Sequence, residues 1–349
     1  MRNRRLYLGV RAMCTALAAL AGLLAMAPAS ANDSSASLDA DGLRFTYNPN
    51  IKIESEALSL SLEEVGVGYR FHNISDRDIS TLVAFPLPVM YVGEEGNYVL
   101  PDNRDPVNFI NFQVTVDGKR VEPSVEVKAI RHGIDVTEVL KRHGIPLTML
   151  AESDEATIAL HARLDDLPDD AQQELERYGV IDWSTSWGAN NKPQASEHWE
   201  TYITFYWFQT FPARRTIEVT HRYHPVPRHF FFVEEDLASD DMRKKYCFDQ
   251  AFTQAARAML KRAAEGQEED YSPTLAGREL KYVLTTAGNW LGPIQKFQLK
   301  VEKSPDALVS LCAEGIKRPS PTTFDLAEDN YSPNKDLNVL FIAPFPKDH

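Results

Sequence analysis

The sequence predicts an α+β, β-rich chain: antiparallel, sandwich-like sheets with a small helical insertion at about 131–180 and one long helix at about 240–265. Three observations carry this. Apolar residues alternate with a period of two through much of the chain, as in Val65, Val67, Tyr69 and Phe71. The period turns helical after Arg131 and again after Ser239. About six short strands follow one another at turn spacing between residues 32 and 130, a pattern that suits sheet on sheet better than a parallel α/β sheet.

Residues 1–31 read as an export leader. Arg2, Arg4 and Arg5 form a basic start, Leu17–Ala27 is apolar and uncharged, and Ala29-Ser30-Ala31 is a small-residue cleavage site with the cut expected after Ala31. Arg4-Arg5 followed by Tyr7 and Leu8 faintly resembles a twin-arginine signal. A basic start is expected in any leader, so the ordinary route is preferred. The apolar run is short of the roughly 20 residues of a membrane anchor, and no later stretch qualifies. The chain after cleavage is therefore expected to have no transmembrane anchor and to be periplasmic or secreted.

Loss of the leader removes four arginines and takes the formal charge from −13 to −17. Such an acidic chain excludes nucleic acid as a partner, because neutralising phosphates takes clustered Lys and Arg. Of 349 residues, 318 remain after residue 31, enough for one large or two ordinary domains. The expected divisions are a β-rich region at 32–130, the helical insertion and loop at 131–196, and a β-rich region with the long helix at 197–349. A single continuous unit over 32–349 is the other reading.

The elements follow in order. Leu43–Thr46 and Ile51–Leu60 are strands around an Asn48-Pro49-Asn50 turn. Val65–Phe71 is a half-buried strand, and after the polar turn Asn73–Asp78 the chain returns as Ile79–Phe85, which suggests a hairpin. Ile110 to Val116 and Val121 to Val127 flank Asp117-Gly118, a pair suited to the positive φ of a type I′ turn. Asp135-x-x-Glu138 is a capping box for a helix over Val136–His143, closed by Gly144. Ser153–Leu164 and Pro168–Tyr178 read as two further helices, and the Gly, Asn and Ser-rich segment Ser184–Ser196 as an exposed loop.

Trp199 to Phe232 reads as a central β-hairpin. Ser239, with Asp240 and Asp241 behind it, caps the long helix, whose Phe248, Phe252, Ala255 and Met259 share a face, and Gly266 closes it. Strands return at Leu280–Leu284, Ile294–Val301, Leu308–Cys312 and Leu337–Phe341. Cys247 and Cys312 are the cysteines left after the leader. In an oxidising compartment they are expected to form a disulfide tying the long helix to a late strand.

Several stretches resemble one known family. They are Asn32-Asp33 with Gly42-Leu43, SDRDISTLVAFPLP at 75–88, DVTEVL at 135–140, FPA at 211–213, HRYHP at 221–225, the two cysteines, and WLGPIQKFQL at 290–299. Together they are similar to the exported bacterial proteins grouped as domain of unknown function 4424. The resemblance implies export and a single unit of conserved length, and it implies no activity.

Candidate chemistry is sparse. His221, His224 and His229 invite a metal reading, but on a strand through Ile217, Val219, His221 and Tyr223 the side chain of His224 points the other way. No metal and no cofactor are expected. The aromatic set Trp199, Tyr202, Phe205, Tyr206, Trp207, Phe208 and Phe211 occupies both parities, as in a central strand buried on two faces. Trp183 and Trp187 are then the better exposed candidates for binding, with His224 and His229 beside them. The pairs Asp165-Asp166, Asp169-Asp170 and Asp39 with Asp41 lack the ligand spacing of a calcium loop. G-x-S-x-G, H-E-x-x-H, Walker A and G-x-G-x-x-G are all absent.

No catalytic residue is assigned. The preferred reading is a non-catalytic envelope protein that binds a ligand or a protein. The alternative is a hydrolase acting on an envelope polymer through paired carboxylates, which requires a cleft with two of them in reach of each other. The borders of the central segment, Trp183–Ser196 and Pro225–Arg228, are the expected places for binding.

Overall fold

A computed structural model describes residues 33–345 apart from 40–41, 94–96, 102, 104, 106, 149–153, 188–192 and 266–271. The leader, the expected cut after Ala31, Asp41, the Ser153 cap and Gly266 lie outside the described residues.

The chain opens with β1 (Ser34–Asp39), β2 (Gly42–Phe45), β3 (Ile51–Leu60), β4 (Val65–Asn73), β5 (Ile79–Pro86) and β6 (Met90–Val92). Next come β7 (Gln113–Val116), β8 (Lys119–Val121), β9 (Ser124–Arg131) and β10 (Ile134–Asp135), then α1 (Thr137–Arg142), α2 (Asp154–Asp165) and α3 (Asp169–Arg177). β11 (Ile181–Trp187), β12 (Pro193–Glu197), β13 (Trp199–Phe211), β14 (Thr216–Tyr223) and β15 (Arg228–Phe232) lead into α4 (Glu234–Ala238), α5 (Asp240–Tyr246) and α6 (Gln250–Ala264). The chain closes with β16 (Leu275–Tyr282), β17 (Ile294–Glu302), β18 (Leu308–Leu311), β19 (Lys317–Ser320), β20 (Thr323–Tyr331) and β21 (Leu337–Ala343).

Three sheets enclose one apolar core. The first has the order β10-β9-β13-β5-β1-β2, with β6 also paired to β13, and the second runs β19-β20-β17-β3-β4-β14-β7-β8. The third is β15-β16-β21-β18. Pairing is antiparallel except between β17 and β3. The shared core gathers Tyr69 and Phe71 from β4, Phe85 from β5, Phe205 and Trp207 from β13, and Tyr282 and Val339 from the third sheet.

Neither expected hairpin forms around the polar turns at 74–78 and 212–215. β4 and β14 pair with each other in the second sheet, while β5 and β13 pair in the first. Both turns therefore carry the chain from one sheet to the other. They are laced together by buried Asn73, whose Nδ2 donates to the Phe211 and Arg77 carbonyls, and by Arg214 N–H to Ser75 O. A local turn signal specifies a reversal but not the sheet that receives the next strand, and here the apolar run Leu82–Phe85 is buried on both faces in the first sheet.

β13 is buried mainly on one face, with Thr204 buried and Tyr206 packed on the other. Its odd positions, including Trp199, Phe205, Trp207 and Phe211, face the core, while Tyr202 and Tyr206 are half-buried and Phe208 is 81% exposed. The Asp117-Gly118 turn forms with φ of 49° and 74° and joins β7 to β8. The helical insertion packs its own small core of Val136, Leu140, Leu164, Leu175 and Val180 against Trp199 at the start of β13. Of the expected loop at 184–196, residues 184–187 and 193–196 belong instead to the two-stranded ribbon β11–β12.

The expected long helix is two helices. Ser239 caps α5 through Met242 N–H, but Cys247 is left-handed at φ 54°, and Asp249 starts α6 by accepting from Phe252 N–H at 2.6 Å. Sequence periodicity carried the helix through a break that Asp249, a good N-cap residue, had marked. The Cys247–Cys312 disulfide ties this break to the end of β18. α6 lays Phe252, Ala256, Met259 and Leu260 on the third sheet, against Leu275, Leu340 and Ile342.

Candidate ligand-binding site

The third sheet presents its central strand β16 to the remainder of the protein. Leu280 and Tyr282 of β16 belong to the main core. Glu279 and Lys281, on the opposite parity, line a cavity of about 210 Å3, small among ligand sites, which start at about 300 Å3. Its walls come from three directions: Leu87, Pro88, Val89, Met90 and Tyr91 from the end of β5 through β6, Pro225, Val226 and Arg228 from the β14–β15 connection, and Lys245 from α5. Pro86 and Pro88 explain the first wall, since proline cannot continue the ladder. Pro225 and Pro227 do the same for the second.

Tyr98 completes the enclosure. Its segment adds to the free side of β15, with His229 N–H donating to Asn97 O and Val99 N–H to Pro227 O, and its hydroxyl accepts from Tyr91 N–H at 2.9 Å. Burial pushes the Tyr98 phenol up, against the attraction of nearby Arg228.

The charges are arranged unevenly. The Glu279 carboxylate is fully buried, with Lys245 Nζ 2.5 Å from one oxygen and Arg228 Nε 3.4 Å from the other. The Tyr246 phenol is pushed up by burial and then by Glu279. Lys281 Nζ lies 5.9 Å from the centre of the Tyr91 ring. Burial lowers its ammonium, Glu279 opposes this, and Lys245 and Arg228 add to it. Lys245 and Arg228 also rest against the rings of Tyr246 and Phe230. Gly277 makes room for that second ring, since a Cβ there would meet Phe230 at 2.8 Å.

The candidates singled out in the sequence are scattered. Trp183 is half-buried on the insertion core, and its indole N–H donates to Asp165 at 2.9 Å. Asp165 is the acceptor that holds it. The side chain of Trp187 lies outside the described residues. His224 is exposed and donates from Nδ1 to Glu63 O at 2.8 Å, lining a more open depression with Leu62, Asn103, Asn111 and Arg278. His229 stacks edge-on with Phe231 and Phe345 on the outside of the third sheet. Asp39 is paired with Arg44 at 3.3 Å. Of the two expected borders, Pro225–Arg228 walls the cavity, and the described residues of 183–196 do not.

His221 is 1% exposed. Its Nε2 lies 2.9 Å from Asp33 Oδ1, and the rings of Tyr69, Phe85, Phe112 and Trp207 surround it at 5.1–5.8 Å. Among the described residues no group of three or more His, Cys, Asp or Glu could hold a metal ion. Glu279, Lys281 and Lys245 were missed in the sequence. Their signal was a pair of charges at alternate positions of Leu275–Tyr282, flanked by apolar residues, and the expected strand began five residues too late, at Leu280.

Among solved structures, a protein from Legionella pneumophila subsp. pneumophila str. Philadelphia 1, provisionally named as nutrient-binding, is similar at 12% identity with a TM-score of 0.40, over 90% of this chain and 72% of its own. No curated protein sequence matches. A family model matches residues 31–340, nearly the whole chain, and the protein belongs to that family, the domain of unknown function DUF4424.

Proposed function

We propose that the protein is an exported envelope module that binds a small ligand in the cavity above β16 and performs no chemistry on it. The supporting observation is convergence: wall segments from three parts of the chain bring apolar side chains, tyrosines, three cations and one buried carboxylate to a single enclosed space. An export leader, the disulfide and the acidic surface fit an envelope address. No helix among the described residues is long and apolar enough to cross a membrane.

The hydrolase reading asks for two carboxylates facing one another. The β16 cavity is lined by Glu279, the depression at His224 by Glu63, and a third hollow between β3 and β20 by Asp325, one carboxylate in each.

Native mass spectrometry of protein purified from its own envelope fraction tests the proposal. A retained small molecule that is lost in a cavity-filling Val226→Trp variant of unchanged circular dichroism is the expected result. Equal retention by the variant would move the ligand elsewhere, and a bare protein that binds nothing from an envelope extract would end the proposal.

A further inference from the structure

We infer that the ligand of the β16 cavity is a small organic anion, a carboxylate or phosphate ester on an apolar or aromatic body, whose charge pairs with Lys281. The inference rests on the cavity being the ligand site. It starts from an imbalance of charge, since Arg228, Lys245 and Lys281 face a single carboxylate, Glu279. Glu279 is engaged on both oxygens, by Lys245 and by Arg228. It holds these two cations in the wall as ion pairs.

Lys281 is the remainder. It sits two residues along β16 on the face of Glu279, and among the described residues its ammonium has no carboxylate within ion-pairing distance. Tyr91 offers only the face of a ring. A half-buried ammonium without a partner is costly, and burial already weakens its hold on its proton. Glu279 attracts it, and Asp336 more weakly, but neither is paired with it. An anion entering the cavity would supply the missing charge, and Leu87, Val89, Met90 and Val226 would cover its apolar part.

The setting sharpens the contrast. A chain of formal charge −13 keeps a locally positive cavity, so the field that repels anions from the surface reverses where the walls converge. A cationic ligand could use the tyrosines and Glu279, but it would meet three like charges.

Isothermal titration calorimetry on the leader-free protein at low salt tests this with benzoate, phenyl phosphate, inorganic phosphate, benzamide and benzylamine. Benzoate and phenyl phosphate are expected to bind at least tenfold more tightly than benzamide or benzylamine. Phenyl phosphate should exceed inorganic phosphate, and equality would overturn the apolar body. Lys281→Met should weaken both organic anions at least tenfold and leave benzamide unchanged, with Lys281→Gln as a second variant should the first not fold. Benzamide binding as well as benzoate, or anion binding indifferent to Lys281, would overturn the anion while leaving the cavity a ligand site. Failure of all five probes on folded protein would count against the cavity itself.

Discussion

Asn73 at the end of β4 donates from Nδ2 to the carbonyl of Phe211 at the end of β13, at 2.8 Å. The same amide donates to Arg77 O, and its oxygen accepts from Ser75 N–H at 2.9 Å and from Ser75 Oγ at 2.7 Å. One buried side chain thus satisfies the backbone of two corners at which the chain changes sheets. Asn73→Ala would leave these groups unpaired, and a loss of about 1–3 kcal/mol is expected. Urea unfolding measures it; a variant as stable as the parent would show that the corners stand without the amide.

The disulfide closes a loop of 65 residues between α5 and the end of β18. In the chain-entropy model such a loop is worth about 4 kcal/mol. The double variant Cys247→Ser, Cys312→Ser should therefore lose a large share of its stability, read as a drop in urea midpoint. A drop of less than about 1 kcal/mol would mean that residual structure already restricts the unfolded chain between the two cysteines without the bond.

Asp33 and His221 form a pair with no exposed side-chain surface inside the shared core. Burial raises the Asp33 carboxyl, outweighing the attraction and hydrogen bond of His221. A raised folded value means that this contribution to stability is complete below the ordinary aspartate range and is lost as pH rises through the folded value. Asp33→Asn can keep the hydrogen bond and removes the titration. Wild type should accordingly lose stability relative to this variant as pH rises from about 4. Parallel stability curves for the two proteins between pH 4 and 8 would contradict the assignment.

Much of this fold was legible because it is local. Parity on β14 separated His221 from His224, Asp117-Gly118 marked its turn, and Ser239 marked its helix. Sheet membership was not legible, because Asn73–Asp78 and Pro212–Arg215 have the composition of hairpin turns, and only the distant partners of β5 and β13 decide that the chain crosses over. The wall of the candidate cavity includes one expected border, Pro225–Arg228. Glu279 and Lys281 stayed hidden because a charged residue in a strand reads as solvent-facing until α5 and the β5–β6 connection are seen to cover it. The surroundings of Trp183 were hidden for the converse reason: its partner Asp165 is supplied by a helix end 18 residues earlier in the chain.

Glu279 is the charge that keeps Arg228 and Lys245 in the cavity wall. Glu279→Gln should destabilise the protein by about 1–3 kcal/mol, below the figure for a fully enclosed pair because both cations reach solvent. Differential scanning fluorimetry at two salt concentrations checks this. An unchanged melting temperature would mean that solvent already screens the pairs.

Lys281 gives the site a pH signature. With its ammonium lowered by burial, against the attraction of Glu279 and with Lys245 and Arg228 adding to the effect, anion binding should weaken at a lower pH than the ordinary lysine value of about 10.4 would allow. Loss of benzoate binding only above that value would show that another cation holds the ligand.

The central claim, that the cavity above β16 is where this protein meets its ligand, is tested most directly by a crystal structure of the leader-free protein purified from its own envelope fraction. Density for a small molecule is expected between Lys281, Tyr91 and Val226, with Glu279 still paired to Lys245 and Arg228. A retained molecule seated elsewhere, with only water in this cavity, would contradict it.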